Sequence, residues 1–260
     1  GGISEQNIAG LCSGLAREGF KVYFYSIGNF PTLRCMEQIR YDIAYHNTNV
    51  NIVAVGGGYA YGSLSTSHHA TEEIGMLRTI PNMMVSSPSD PSEVKDILNI
   101  TSSVSSPSYM RLNRSGEDQI DFISTFDPGD LHLAYQGAKK VNKKAFISNG
   151  AICNEIYKDL VQSSSLADLY SLPIVKPLKT NKIVKKLLEY DEIIVVDEHQ
   201  LIGGLGSVIQ EILYDCYSHS NKSKLPKVFR IGIKDAFQSV AGNQDYLREK
   251  AGLFDYRKFL

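Results

Sequence analysis

Apolar positions along this chain alternate between two spacings. Ile8, Leu11, Cys12 and Leu15 recur every three or four residues, which predicts an amphipathic helix over Asn7–Arg17. Ser4 suits its N-cap, Glu5 falls in its first turn, and Gly19 closes it. The β-rich run "FKVYFYS" follows. "PTLRCMEQIRYDIAYHN" then reads as a helix with Pro31 in its first turn. "VNIVAVGGG" reads as a buried strand running into glycines, and "HHATEEIGMLRTIPN" as a helix stopped by Pro81. "MMVSSPSDPSEVKDILNI" predicts a strand and then a helix opening at Asp90–Pro91, and "SYMRLNR" a further strand.

The rhythm lapses from Ser115 to about Leu131, in "SGEDQIDFISTFDPGD". We place the domain boundary there, giving residues 1–125 and 126–260. A second series follows: "KKAFISNG", a helix from Ala151, "ADLYSLP", "NKIVKKLLEY", "DEIIVVDEH", a helix after "GGLGS", and "KVFRIGI". Strands alternating with helices predict an α/β protein of two parallel-sheet βα domains.

Composition narrows the class. The 260 residues suit two ordinary domains or one large one, and 43% hydrophobic content suffices for a sizeable core. A net charge of -1 without a basic stripe points away from nucleic acid. No apolar run approaches the roughly 18 residues of a membrane span. Cys12, Cys35, Cys153 and Cys216 lie far apart with no C-x-x-C, which predicts buried free thiols and a cytoplasmic protein.

In parallel sheets, ligands collect beyond the carboxyl ends of the strands. In "YSIGNF", Phe30 is either a core residue or a flat surface for an aromatic ring. In "VAVGGGYAYGSLSTSHHATEE", glycines allow close backbone approach, and His68 and His69 suit proton transfer. No neighbouring Cys, Asp or Glu completes a zinc set, and the glycine spacing is not a dinucleotide fingerprint. In "SYMRLNRSG", Arg111 and Arg114 are either solvated or aimed at a phosphate. The helix start in "DEHQLIGGLGS" suits an anion or, the reading we favour, tight strand–helix packing.

Taken together and in this order, "GISEQN", "YSIGNFPTLRCMEQIR", "GGGYAYGSLSTSHHATEE", "MRLNR", "DEHQLIGGLGSVIQEIL" and "RIGIKDAF" resemble the C-terminal half of a transketolase, and most closely one subunit of a split, two-chain transketolase. The resemblance covers nearly the whole chain. It implies thiamine diphosphate, with Glu5 bonded to N1′ of the aminopyrimidine and favouring its 4′-imino tautomer. It further implies Phe30 stacked on that ring with Ile27 beside it, and His68 and His69 facing the sugar as proton carriers. Arg114, with Arg111 its neighbour, would hold the sugar phosphate.

The resemblance has gaps. Single-chain enzymes carry an aspartate where Leu64 stands and a phosphate-binding histidine where Gly56 stands, which leaves the acceptor open. The G-D-G…Asn motif that holds Mg²⁺ and diphosphate is not in this sequence. A partner N-terminal chain would supply it, in an α2β2 assembly. One strand–helix unit is also expected ahead of Glu5. Two other readings stand beside this one. The first is a 2-oxo acid decarboxylating relative, either a dehydrogenase β-subunit or a deoxyxylulose phosphate synthase-like enzyme. The second is a non-catalytic regulatory subunit.

Overall fold

In the computed structural model, which describes residues 2–138, 143–218 and 225–260, helix α1 (Glu5–Arg17) has Ser4 at its N-cap position and leads into strand β1 (Val22–Ile27). The next helical segment is not one regular helix. A 3₁₀ turn over Leu33–Cys35 passes into α2 (Met36–Gln38), which widens into π-helical turns over Ile39–Tyr45. Strand β2 (Val50–Val55) is buried at every position, as an interior parallel strand must be.

The helix expected from the histidines onward is shorter than its pattern. Only α3 (Glu73–Arg78) is α-helical, while Thr66–His68 form a 3₁₀ turn. The backbone between them is spent on other bonds. Ala70 pairs with Gly58 in an antiparallel bridge, and the Asn29 amide donates to the His69 carbonyl. Strand β3 (Met84–Ser86) precedes α4 (Pro91–Ser103). Asp90 caps α4 by accepting from the Glu93 N–H at 2.9 Å, and the Glu93 carboxylate reaches back to accept from the Ser89 N–H at 2.8 Å. Strand β4 (Ser108–Leu112) ends the first series.

The second series holds β5 (His132–Tyr135), β6 (Lys144–Ser148), α5 (Gly150–Ser163), β7 (Asp168–Ser171), β8 (Ile174–Lys176), α6 (Thr180–Leu187), β9 (Glu192–Gln200), α7 (Leu205–Ser218), β10 (Lys227–Ile233) and α8 (Gln244–Lys250). The sheets run β1-β2-β4-β3-β8 and β10-β9-β6-β7-β5. Each is parallel except for its last strand, which pairs antiparallel. Strand β5 had no counterpart in the sequence pattern.

Residue 125 falls in coil between β4 and β5, yet the two halves interlock. Strand β8, from the second half, completes the first sheet against β3. One apolar cluster runs from Ile52 and Val85 of the first sheet through Leu172 and Val175 to Ile147 and Val195 of the second. Cys12, Cys35 and Cys153 are free and buried, and Cys216 is free and partly exposed. Among the described residues, no helix is long and apolar enough to cross a membrane.

Candidate active site

The carboxyl ends of β1, β2 and β4 lie side by side, with Ile27 opposite Val55 and Val55 opposite Leu112. Three loops therefore emerge at one edge of the sheet. After Ile27 the chain turns at once, and the Phe30 N–H donates to the Ile27 carbonyl at 2.9 Å. Thr32 ties the turn by donating to the Gly28 carbonyl at 2.8 Å. The turn holds Phe30 half-buried at the sheet edge, outside the core.

Phe30 has two neighbours that define the site. The Arg34 guanidinium lies 5.0 Å from its ring centroid and donates to Glu5 Oε2 at 2.7 Å. The His68 ring meets Phe30 edge-on at 5.3 Å. Beyond His68 comes Tyr61 at 6.5 Å, and the Arg114 guanidinium lies 5.6 Å from the Tyr61 ring. Glu5, Arg34, Phe30, His68, Tyr61 and Arg114 thus form one contiguous row, although α1 and the segments after β1, β2 and β4 all contribute to it. Sequence reasoning missed Arg34 and Tyr61. An aromatic inside a glycine loop was the one available hint of Tyr61.

The glycine loop makes room for the protein's own side chains. Gly56 sits at φ +91°, and a Cβ there would lie 2.2 Å from the Tyr61 ring. Gly58 sits at φ +60°, and a Cβ there would lie 2.5 Å from the Glu198 side chain. The loop is consequently packed against β9 of the second half. Glu198 Oε1 accepts from the Tyr59 N–H at 2.8 Å, while its Oε2 accepts from Arg248 at 2.7 and 2.9 Å.

The two histidines face different ways. His68 is half-buried and accepts or donates at Nδ1 to the Ser67 hydroxyl at 3.0 Å, on the Phe30 side. His69 is 4% exposed and packs edge-on against Tyr59 at 5.0 Å. Burial holds the His69 imidazole below its ordinary pKa, against weaker opposing effects led by a Gly62 backbone hydrogen bond. It is neutral at pH 7, and its Nε2 has no hydrogen-bond partner among the described residues.

The two arginines also separate. Arg114 is exposed at the end of the row. Arg111, expected beside a sugar phosphate, is instead 5% exposed and committed inward. It donates to Glu73 at 2.6 and 2.8 Å, to the Ala70 carbonyl at 2.9 Å and to the Glu198 carbonyl at 3.1 Å. Four of its five N–H groups are used, so it braces the histidine loop against the second half. The reason is position along the strand: Arg111 lies in β4 and is buried, whereas Arg114 lies beyond the strand's end.

The α7 start is closed to an external anion by Asp197, whose carboxylate accepts from the Leu205 N–H at 2.6 Å. Gly203 packs against Gly75 of α3, and the Gly75 N–H donates to His199 Nε2 at 3.1 Å. This stretch serves packing.

Electrostatically, Glu5 is the charged group at the head of the row and is 8% exposed. Its own backbone N–H and the Arg34 guanidinium hold its carboxyl below the ordinary value, outweighing desolvation. A sheltered carboxylate near an aromatic face offers a hydrogen-bond acceptor and a stacking surface to a polar heteroaromatic ring. Among the described residues, no three His, Cys, Asp or Glu side chains converge to hold a metal ion.

Two family models match successive parts of the chain. The family model "Transketolase, pyrimidine binding domain" matches residues 1–116, and "Transketolase, C-terminal domain" matches residues 146–252. A subunit of the apulose-4-phosphate transketolase of Actinobacillus succinogenes is 28% identical over 97% of this chain and 79% of its own. A putative transketolase C-terminal section of Methanocaldococcus jannaschii is 30% identical over 97% of this chain and 77% of its own. Among solved structures, a split-gene transketolase described as an inactive β4 tetramer superposes with a TM-score of 0.78. It is 28% identical and covers 97% of this chain and 78% of its own.

Proposed function

This chain belongs to the transketolase family, and from that premise we propose that it is the pyrimidine-binding and C-terminal subunit of a two-chain enzyme. The enzyme would move a two-carbon ketol unit from a phosphorylated ketose to an aldose. The observation that carries this reading is the contiguous row from Glu5 through Phe30 and His68 to Arg114. It sets a sheltered carboxylate, a stacking ring, a titratable imidazole and an exposed cation in order along one sheet edge.

Thiamine diphosphate, when bound, would supply a nucleophilic carbon. The residues here fit its aminopyrimidine half. Glu5 would share a proton with the ring nitrogen N1′, Phe30 would take the ring face, and Ile27 would pack beside it. His68 moves protons at the sugar hydroxyls, and Arg114 takes the sugar phosphate. His69, turned toward Tyr59, shapes the loop that carries His68. The residues do not fit Mg²⁺ or the diphosphate, which we assign to a partner N-terminal chain with a G-D-G…Asn motif. We further assign an α2β2 assembly and a cytoplasmic location.

The test is reconstitution with the partner chain, thiamine diphosphate and Mg²⁺, followed by a two-carbon transfer assay with a ketose phosphate and an aldose. Glu5→Gln is expected to lower kcat by about 10²-fold or more. Unchanged transfer in that variant would remove Glu5 from the chemistry. Turnover of pyruvate in place of the ketose would replace the transferase reading with a decarboxylating one.

A further inference from the structure

We propose that Arg34 closes the pyrimidine subsite of the unliganded chain and must swing out before the cofactor ring can seat. The inference rests on the reading that Glu5 and Phe30 hold the aminopyrimidine. Such a ring needs two things from this chain: a carboxyl group at N1′ and an aromatic face. Arg34 already takes both. Its guanidinium donates to Glu5 Oε2 at 2.7 Å and lies 5.0 Å from the Phe30 ring centroid. Guanidinium is planar, rich in donors, and prone to stack on aromatic faces while bonding carboxylates. It therefore competes with a flat heteroaromatic ring for the same two partners.

Three further observations support a movable occupant over a fixed brace. The Arg34 side chain is 45% exposed, whereas that of Glu5 is 10% exposed, so the guanidinium has an open route to solvent. A pair with one half-exposed member adds little to folding stability, unlike the fully buried Arg111–Glu73 pair. Arg34 also rises from a short 3₁₀ turn, Leu33–Cys35, where a side chain can change rotamer without disturbing a sheet.

The pairing also has a chemical consequence. A carboxylate engaged by a guanidinium accepts hydrogen bonds and is held ionised. Glu5 must instead share a proton with N1′. Displacing Arg34 both vacates the ring face and frees the carboxyl to take that proton. Cofactor entry and Glu5 activation are then one event, in which a cationic side chain is exchanged for the ring.

The experiment titrates the assembled two-chain enzyme with thiamine diphosphate and Mg²⁺ by isothermal calorimetry. Near-ultraviolet circular dichroism follows ring stacking as a signal independent of activity. Arg34→Ala is expected to bind the cofactor about three- to tenfold more tightly than wild type, since it loses a surface ion pair and a cation–π contact that compete with the ring. Arg34→Lys, which keeps the charge but not the planar fork, is expected to fall between the two. Arg34→Gln guards against local collapse and is expected to follow Arg34→Ala. An unchanged or larger Kd in both neutral variants would overturn the proposal. Glu5→Gln and Phe30→Ala separate this from failure of the parent reading. If both bind as wild type, the subsite itself is misassigned. If both weaken binding while the Arg34 variants do nothing, only the plug is wrong.

Discussion

Replacing Arg111 by Met should destabilise the molecule from the inside. The substitution keeps the aliphatic stem and deletes a guanidinium that makes four hydrogen bonds of 2.6–3.1 Å. It leaves the Glu73 carboxylate, 0% exposed, with the Tyr109 hydroxyl at 3.0 Å as its remaining side-chain hydrogen bond. Breaking one side of a buried pair typically costs about 3–5 kcal/mol, a large fraction of the roughly 5–15 kcal/mol that holds a protein folded. At about 2–4 °C per kcal/mol for a chain near this size, Tm should fall by roughly 6–20 °C. The double variant Glu73→Met with Arg111→Met removes both charges and should recover most of that loss. Arg114→Met, at an exposed position, should change Tm by no more than about 1 °C. Differential scanning calorimetry of the three variants checks the order. If Arg111→Met melts within about 2 °C of wild type and instead raises KM for a sugar phosphate, the bracing role is refuted and Arg111 returns to the substrate.

The same pair sets a pH dependence. Burial pushes the Glu73 carboxyl up, but Arg111 outweighs it and the pKa lies below the ordinary value. Its stabilisation is therefore complete above the unfolded value of about 4.3 and lost as pH falls through the folded one. The urea-midpoint advantage of wild type over Glu73→Gln should accordingly shrink as pH falls below about 4.3. Gly56→Ala puts a Cβ 2.2 Å from the Tyr61 ring at a φ of +91°. It should cost about 1–3 kcal/mol and displace Tyr61 from His68, read as a lower Tm together with a higher substrate KM. In the reconstituted enzyme, His68→Ala should lower kcat by about 10²- to 10⁴-fold. His69→Phe, which keeps the packing on Tyr59, should lower it far less, and an equal loss in both would place both rings at the substrate.

Legibility varied by feature. The strands Val50–Val55 and Glu192–Gln200 were readable because burial on both faces leaves short apolar runs, Ile52–Val55 and Ile193–Val196, within them. The start of α4 was readable because Asp90, Pro91 and Glu93 are a local device. The helix expected over the histidines was not, since its backbone is held by Gly58 and Asn29, which lie 12 and 40 residues away. Strand β8 was likewise hidden, because its antiparallel pairing with β3 joins residues about 90 apart in the chain.

Strand-end position made Phe30, His68 and Arg114 candidates in the sequence, whereas Glu5 was nominated only by the resemblance of the ordered motifs around it. Their order along one row was decided by the parallel pairing of β1, β2 and β4, which only the folded sheet establishes. The tertiary structure also turned two of the residues named toward the interior. Arg111 went inward because it lies in a buried strand opposite a carboxylate, and His69 went inward because the Gly58–Ala70 bridge turns it toward Tyr59. Sequence by itself determined the α/β class, the strand-end loops and the residue types that carry chemistry, all of which rest on short-range periodicity and turn preference. Which of those side chains meet, and which are spent as internal braces, depends on contacts between residues far apart in the chain and was settled only by packing.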